Sequence, residues 1–202
     1  KKAFYTEKIE AAFNYRNSIY LTDEKTNIYR LIFGEGDALP GLIVDNYNGH
    51  LVIQCHSAGM QRDAKLIGDV LKTLPITIQT IYVKHEKEGE FLLGSADMTT
   101  GLENGNQFLV NWQSGQKTGF FIDQRENRKI LGEFSKNKNI LNVFSYTGGF
   151  SVYALKNGAS KVVSVDLSVD AINMANKNAE LNGVSENHEG HAVDAFEYLK
   201  NE

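Results

Sequence analysis

The sequence predicts an α/β chain in two parts: a small α+β module, then the first half of a doubly wound parallel sheet. Three observations carry this. Apolar runs with strand character dominate residues 27–112. From Asp123 onward, helix and strand patterns alternate in a βαβαβ order, which calls for parallel strands with right-handed crossovers. Where the first of those strands meets a helix, the chain passes through Gly148-Gly149.

The elements follow in order. Residues 1–16 form an amphipathic pattern, read as a linker or helix leading in from a preceding domain, within a leading segment 1–26. Residues 29–33 alternate as a short strand. Residues 42–47 and 50–56 are apolar runs joined by Asn48-Gly49, a hairpin signal because both turn positions want φ > 0. A helix is predicted over 61–74, with Ala64, Ile67, Val70 and Leu71 at helical spacing and Pro75 beyond its stop. Strands at 77–84, 90–93 and 108–112 complete a module spanning 27–112. In the second part, 113–202, a helix over 123–134 precedes a strand over 139–144. A helix over 149–156, a strand over 161–166, a helix over 169–182 and a weaker strand over 188–193 follow. Ser168 is a good N-cap for the longest of these helices, and Gly183 a good stop.

Composition excludes several classes. No apolar run approaches the ~20 residues of a membrane span, and the mixed-charge start is not a signal peptide. A single cysteine, Cys55, rules out an internal disulfide and fits a reducing cytoplasm. Net charge is −4, so any nucleic-acid contact needs a local basic patch rather than bulk attraction. His50, His56, His85, His188 and His191 have no metal-ligand spacing with Cys55, so no metal site is expected. Cys55, inside an apolar strand, reads as core rather than as a nucleophile.

Four segments point to chemistry. The first is Asn142-Val-Phe-Ser-Tyr-Thr-Gly-Gly-Phe150, a strand running through small residues straight into a helix. Its glycines would let backbone approach a ligand where a Cβ collides; a tight connection with no ligand has the same look. The second is Asp166, 18 positions after Gly148, close to the spacing at which a carboxylate accepts both hydroxyls of an adenosine ribose. An Asp that merely caps the next helix is the alternative there. A dinucleotide would ask for G-x-G-x-x-G to seat its pyrophosphate, and Ser145-Tyr-Thr-Gly-Gly-Phe150 departs from that. A phosphate-free adenosyl cofactor, S-adenosylmethionine, fits the looser turn better. The third is His191-Ala-Val-Asp194-Ala-Phe196, where Asp194 could accept from an adenine amino group beside the Phe196 ring, or serve only as an N-cap. The fourth is residues 115–128, whose helix opens with Gln124, Arg125, Asn127 and Arg128. Arg125 and Arg128 share a face and suit a cofactor carboxylate or an RNA phosphate.

Taken together, Gln116-Lys-Thr-Gly-Phe-Phe-Ile-Asp-Gln-Arg125, the Tyr146-Thr-Gly-Gly-Phe150 turn, Asp166-Leu-Ser168 and Asp194-Ala-Phe196 resemble the bacterial large-subunit (23S) ribosomal RNA cytosine-C5 methyltransferases of the Rossmann-like class I fold. Arg30-Leu-Ile-Phe-Gly-Glu-Gly-Asp37 and Leu39-Pro-Gly-Leu-Ile-Val-Asp45 are similar to the opening of that family's central domain. The resemblance covers nearly the whole chain. It implies an N-terminal PUA domain, a central α+β domain and a C-terminal methyltransferase domain. It implies S-adenosylmethionine as cofactor, ribosomal RNA as partner, and a cysteine thiolate that adds to C6 of cytosine so that C5 takes the methyl group. The cofactor contacts are then expected at Lys117, Thr118, Phe120, Gln124, Arg125, Arg128, Asn142, Phe144, Ser145, Tyr146, Thr147, Gly148, Asp166, Ser168, Asp194 and Ala195.

No PUA domain and no catalytic cysteine with its proline-containing loop are found in these residues, so no catalytic group is assigned and both ends are expected to lie within a longer protein. The strand at 139–144, apolar at Ile140, Leu141, Val143 and Phe144, is expected to have an unpaired edge and to associate with a second copy. Other readings keep the same fold: a methyltransferase with another nucleic-acid target, or a non-catalytic RNA-binding module.

Overall fold

The computed structural model describes residues 1–19, 24–85 and 89–201. The chain divides into two compact units, Lys1–Gly105 with Val110–Ile122, and Asn106–Leu109 with Asp123–Glu202.

The first unit is a five-stranded sheet with two helices. Helix α1 (Lys2–Ser18) precedes β1 (Ile28–Phe33), β2 (Leu42–Tyr47), β3 (His50–Cys55), α2 (Ala58–Leu71), β4 (Thr80–Lys84) and β5 (Glu90–Leu93). The sheet order is β1-β2-β3-β4-β5, with β3 and β4 parallel and the other pairs antiparallel. The turn between β2 and β3 is the expected one: Asn48 and Gly49 take φ of 52° and 85°, and the Asn46 side chain accepts from Gly49 N–H. Ser57 caps α2 by accepting from Met60 N–H at 3.3 Å, which starts that helix three residues earlier than the predicted 61. Helix α1 is no linker. Tyr5, Ile9, Ala12 and Phe13 recur on one face and enter the same core as Leu31, Leu51, Ile53 and Ile67. Arg16, on the last turn of that face, makes a buried two-pronged ion pair with Asp37.

A hairpin of β6 (Met98–Glu103) and β7 (Asn106–Asn111) follows, with Asn104 and Gly105 at φ of 50° and 80°. Strand β6 was not expected. The predicted strand at 108–112 starts two residues earlier, as β7. Residues 113–122, read from sequence as the start of the second part, group with the first unit. Their Thr118 hydroxyl donates to Asp45 at 2.6 Å and lies 2.7 Å from Tyr47 Oη, in a cluster that Arg30 closes by binding both Asp45 oxygens.

The second unit is α3 (Arg125–Glu133), β8 (Asn139–Val143), α4 (Gly149–Lys156), β9 (Lys161–Asp166), α5 (Val169–Leu181), β10 (His188–Ala192) and α6 (Ala195–Asn201). All three strands are parallel in the order β10-β9-β8, as a βαβαβ chain requires. Ser168 caps α5 by accepting from Ala171 N–H at 3.2 Å. In strand β8, Leu141 is 42% exposed. The strand lies at the edge of the three, with a neighbour, β9, on one side only among the described residues, as the sequence leads one to expect. No helix among the described residues is long and apolar enough to cross a membrane.

Candidate cofactor site

The site is built where β8 ends. Phe144 leaves the strand at φ 55°, and Tyr146 takes φ 47° two residues on. Neither is a glycine, and a left-handed backbone costs such residues of order 1–3 kcal/mol each. Surrounding bonds hold the turn. Ser145 N–H donates to Val165 C=O at 3.1 Å, Gly148 N–H to Ser145 C=O at 2.9 Å, and Tyr146 N–H to Asp166 Oδ2 at 2.9 Å. Strain of this kind, sustained by dedicated partners, is characteristic of ligand-binding turns.

Asp166 is the hub. One carboxylate oxygen accepts from Tyr146 N–H, and the other accepts from Ser168 N–H at 3.0 Å. Its own carbonyl accepts from Val193 N–H at 3.0 Å, so all three loops at the carboxyl ends of the strands converge on this residue. An ionised carboxylate has about four acceptor positions. Two are used here, which leaves capacity for two hydroxyls. Ligands of open α/β sheets bind at this end of the strands.

Around the hub, three large apolar side chains lie exposed. Phe144 (68% exposed) and Phe196 (67%) meet edge to face with ring centroids 6.4 Å apart, and Leu167 follows Asp166 directly. Asp194 Oδ1 accepts from Phe196 N–H at 2.8 Å and Glu197 N–H at 3.1 Å, so the residue does cap α6, and this fixes the carboxylate beside Phe196. Ser145 Oγ, by contrast, is buried with no hydrogen-bond partner among the described residues. A buried hydroxyl without a partner is uncommon and marks a position that a ligand or ordered water would complete.

Not every expected contact is available. Gly148 is at φ 73°, but a Cβ there would come 2.8 Å from Ala175 Cβ. Close packing on α5 therefore by itself requires a glycine here. Asn142 is turned inward, donating to Ser151 Oγ at 2.9 Å. Ser151 in turn meets Ser164 at 2.7 Å, and Ser164 meets His188 Nε2 at 2.8 Å. Burial of His188 pushes its imidazole below the ordinary value. The Ser168 hydroxyl is taken up as a cap. Thr147 gives its carbonyl to Asn178 Nδ2 at 2.8 Å, and Ala195 is buried at the start of α6. Arg125 and Arg128 are buried, with the Arg128 guanidinium 5.9 Å from the centre of the Tyr153 ring, so neither is laid open to an RNA phosphate. Gln124 accepts from Asn127 Nδ2 at 2.9 Å on the surface.

Lys117, Thr118 and Phe120 belong to the first unit. Thr118 is 0% exposed and bound to Asp45, and Phe120 is buried. Lys117 is at φ 49°, with its ammonium 4.2 Å from the centre of the Phe121 ring. Among the described residues no group of three or more His, Cys, Asp or Glu could hold a metal ion. Leu167 was not among the expected contacts. Its sequence signal is an exposed apolar residue set between the strand-end carboxylate and a helix cap.

The chain matches an S-adenosylmethionine-dependent methyltransferase family over residues 75–196. It is 40% identical to the ribosomal RNA large subunit methyltransferase I of Aeromonas salmonicida (strain A449) over 192 residues, which cover 90% of this chain and 48% of that protein. The protein of the same name from Escherichia coli (strain SMS-3-5 / SECEC) is 39% identical over 191 residues, covering 89% and 48%. The chain thus spans about half the length of the curated relatives it matches. Among solved structures, one described as a SAM-dependent methyltransferase from Streptococcus mutans superposes with a TM-score of 0.91 at 26% identity, over 100% of this chain and 55% of that one. A second, described as a methyltransferase complexed with SAH, gives 0.91 and 26% over 100% and 54%. On the family match and these relatives, the chain belongs to the S-adenosylmethionine-dependent methyltransferase family.

Proposed function

We propose that this chain carries the cofactor-binding part of an RNA methyltransferase acting on large-subunit ribosomal RNA, with C5 of a cytosine as the target. The observation that carries the reading is the strained turn at 144–148 gathered on the Asp166 carboxylate, in a chain 40% identical to a protein named for that substrate. S-adenosylmethionine supplies an electrophilic methyl group when bound. The residues fit it. Asp166 has acceptor capacity for the ribose hydroxyls, Phe196 and Leu167 offer apolar surface to the adenine, and Asp194 can accept from the adenine amino group. The orphaned Ser145 hydroxyl and the 144–148 turn would face the amino-acid end.

In this reading the first unit is the central domain, and the second is the opening half of the methyltransferase domain. A PUA domain and the nucleophilic cysteine belong to the whole protein. Cys55 is unsuited to that role, since burial raises its thiol to about 11, far from a thiolate at neutral pH. The assignment also fits a cytoplasmic enzyme, with ribosomal RNA as its partner.

The test uses full-length protein, tritiated S-adenosylmethionine and ribosomal RNA from a strain lacking the protein. The expected product is 5-methylcytosine in the large-subunit RNA. Label on another base refutes the C5 assignment. Binding of RNA with no methyl transfer and no cofactor binding favours a non-catalytic RNA-binding module.

A further inference from the structure

Two asparagines one turn apart, Asn178 on α5 and Asn182 at its C-cap, do more than pack that helix. Asn182 Oδ1 accepts from Gln107 N–H at 2.9 Å, and its Nδ2 donates to Gln107 C=O at 2.7 Å. The side-chain amide thus pairs with β7 as a neighbouring strand would. Asn178 is fully buried and divides its amide between two places. Its Oδ1 accepts from Leu109 N–H at 2.8 Å, and its Nδ2 donates to Thr147 C=O at 2.8 Å.

Thr147 sits within the strained turn, between Tyr146 and Gly148. The same face of α5 presents Ala175, the residue that a Cβ at Gly148 would strike. The face formed by Ala175 and Asn178 therefore seats the turn from below, once by contact and once by a hydrogen bond. Leu109 N–H and Thr147 C=O need opposite partners. A carboxylate can accept but cannot donate, and an alkyl group can do neither; a primary amide does both. Leaving either backbone group buried and unpaired carries a desolvation penalty.

The geometry points to Asn178 as a positioning residue for the cofactor. It fixes the Thr147 carbonyl, and with it the arc from Ser145 to Gly148, while its oxygen holds β7 at Leu109. This rests on the reading of the 144–148 turn as the S-adenosylmethionine site. Asn182 holds β7 without touching the turn and is the natural control.

The test is calorimetric titration of full-length protein with S-adenosylhomocysteine, alongside thermal unfolding. Asn178→Asp keeps the acceptor for Leu109 and sets a carboxylate against the Thr147 carbonyl. It is expected to weaken binding about tenfold, the scale of one lost buried hydrogen bond. Asn182→Ala is expected to lower Tm but leave affinity within about twofold, since it loses the β7 clamp and the bond from its Nδ2 to Asn178 C=O at 2.7 Å, and neither reaches the turn. If Asn178→Asp does not fold, Asn178→Ser takes its place. In the unmutated protein, the Asn178 side-chain NH₂ resonances should shift on adding the ligand while those of Asn182 stay. An Asn178 variant that binds as the unmutated protein does, or an Asn182→Ala variant that loses as much affinity as Asn178→Asp, overturns the positioning role alone. Absence of binding by the unmutated protein overturns the cofactor reading together with it.

Discussion

Replacing Asp166 with asparagine changes more than one ribose contact. The carboxylate accepts Tyr146 N–H on one oxygen and Ser168 N–H on the other, at 2.9 and 3.0 Å. An asparagine has one oxygen and one NH₂ group. Whichever way the amide turns, one backbone N–H faces another donor, and that bond is lost. A hydrogen bond to a charged group is worth about 1.5–3 kcal/mol, and the half-buried donor left behind adds to the cost. If the lost bond is the one to Tyr146, a support of that residue's left-handed backbone goes with it, and the strain there is itself ~1–3 kcal/mol. The turn then relaxes and affinity falls. The ribose hydroxyls lose a charge-assisted acceptor at the same time. A deficit of 1.5–3 kcal/mol corresponds to about ten- to hundredfold weaker binding. Calorimetric titration of full-length Asp166→Asn with S-adenosylhomocysteine reads the affinity, and urea unfolding reads the stability. Both are expected to fall. A variant that loses stability but binds within twofold of the unmutated protein would show that Asp166 ties loops together and does not touch the ribose.

Other outcomes follow from the same geometry. Gly148→Ala meets both a positive φ and a 2.8 Å contact with Ala175, whereas a Cβ at Gly183 (φ 67°) meets nothing within 4 Å. Urea unfolding should show Gly148→Ala costing ~2–4 kcal/mol and Gly183→Ala ~1. His188 is half-buried and desolvation lowers its pKa, so folding favours its neutral form. Its contribution is complete above its ordinary value of 6.5 and is lost as pH falls through the lower folded value. His188→Gln should therefore flatten the loss of stability below about pH 6.5 in unfolding titrations; an unchanged pH profile would contradict it. Cys55, at about 11, should react with iodoacetamide at neutral pH at least a hundredfold more slowly than free cysteine. The 202 residues expressed alone should associate through the open edge of β8, as read by light scattering; a stable monomer with that edge exposed would refute this.

The second unit was largely legible because its signals are local. Ser168 and Gly183 bound α5, apolar runs mark β8 and β9, and the strand-to-helix turn announces itself in small residues. The hairpin at Asn48-Gly49 was legible for the same reason. The identical dipeptide at Asn104-Gly105 makes an equally regular turn, yet β6 carries no strand signal because Met98-Thr-Thr-Gly-Leu-Glu103 has little apolar alternation. The site was less legible where residue type has two uses. Asn142 and Thr118 have the chemistry of ligand contacts, but their side chains are engaged in buried networks that only tertiary neighbours reveal, and Gly148 also answers to the packing of α5. The reverse holds for Asn178, which reads as one more polar helix residue until Leu109 and Thr147 are brought to it.

The most direct measurement is a crystal structure of the full-length protein with S-adenosylhomocysteine. The ribose hydroxyls are expected on the Asp166 carboxylate, the adenine between Leu167 and Phe196 within reach of Asp194, and the Ser145 hydroxyl newly bonded. Ligand density elsewhere, or an adenosyl group at this end of the sheet with no contact to Asp166, would contradict it.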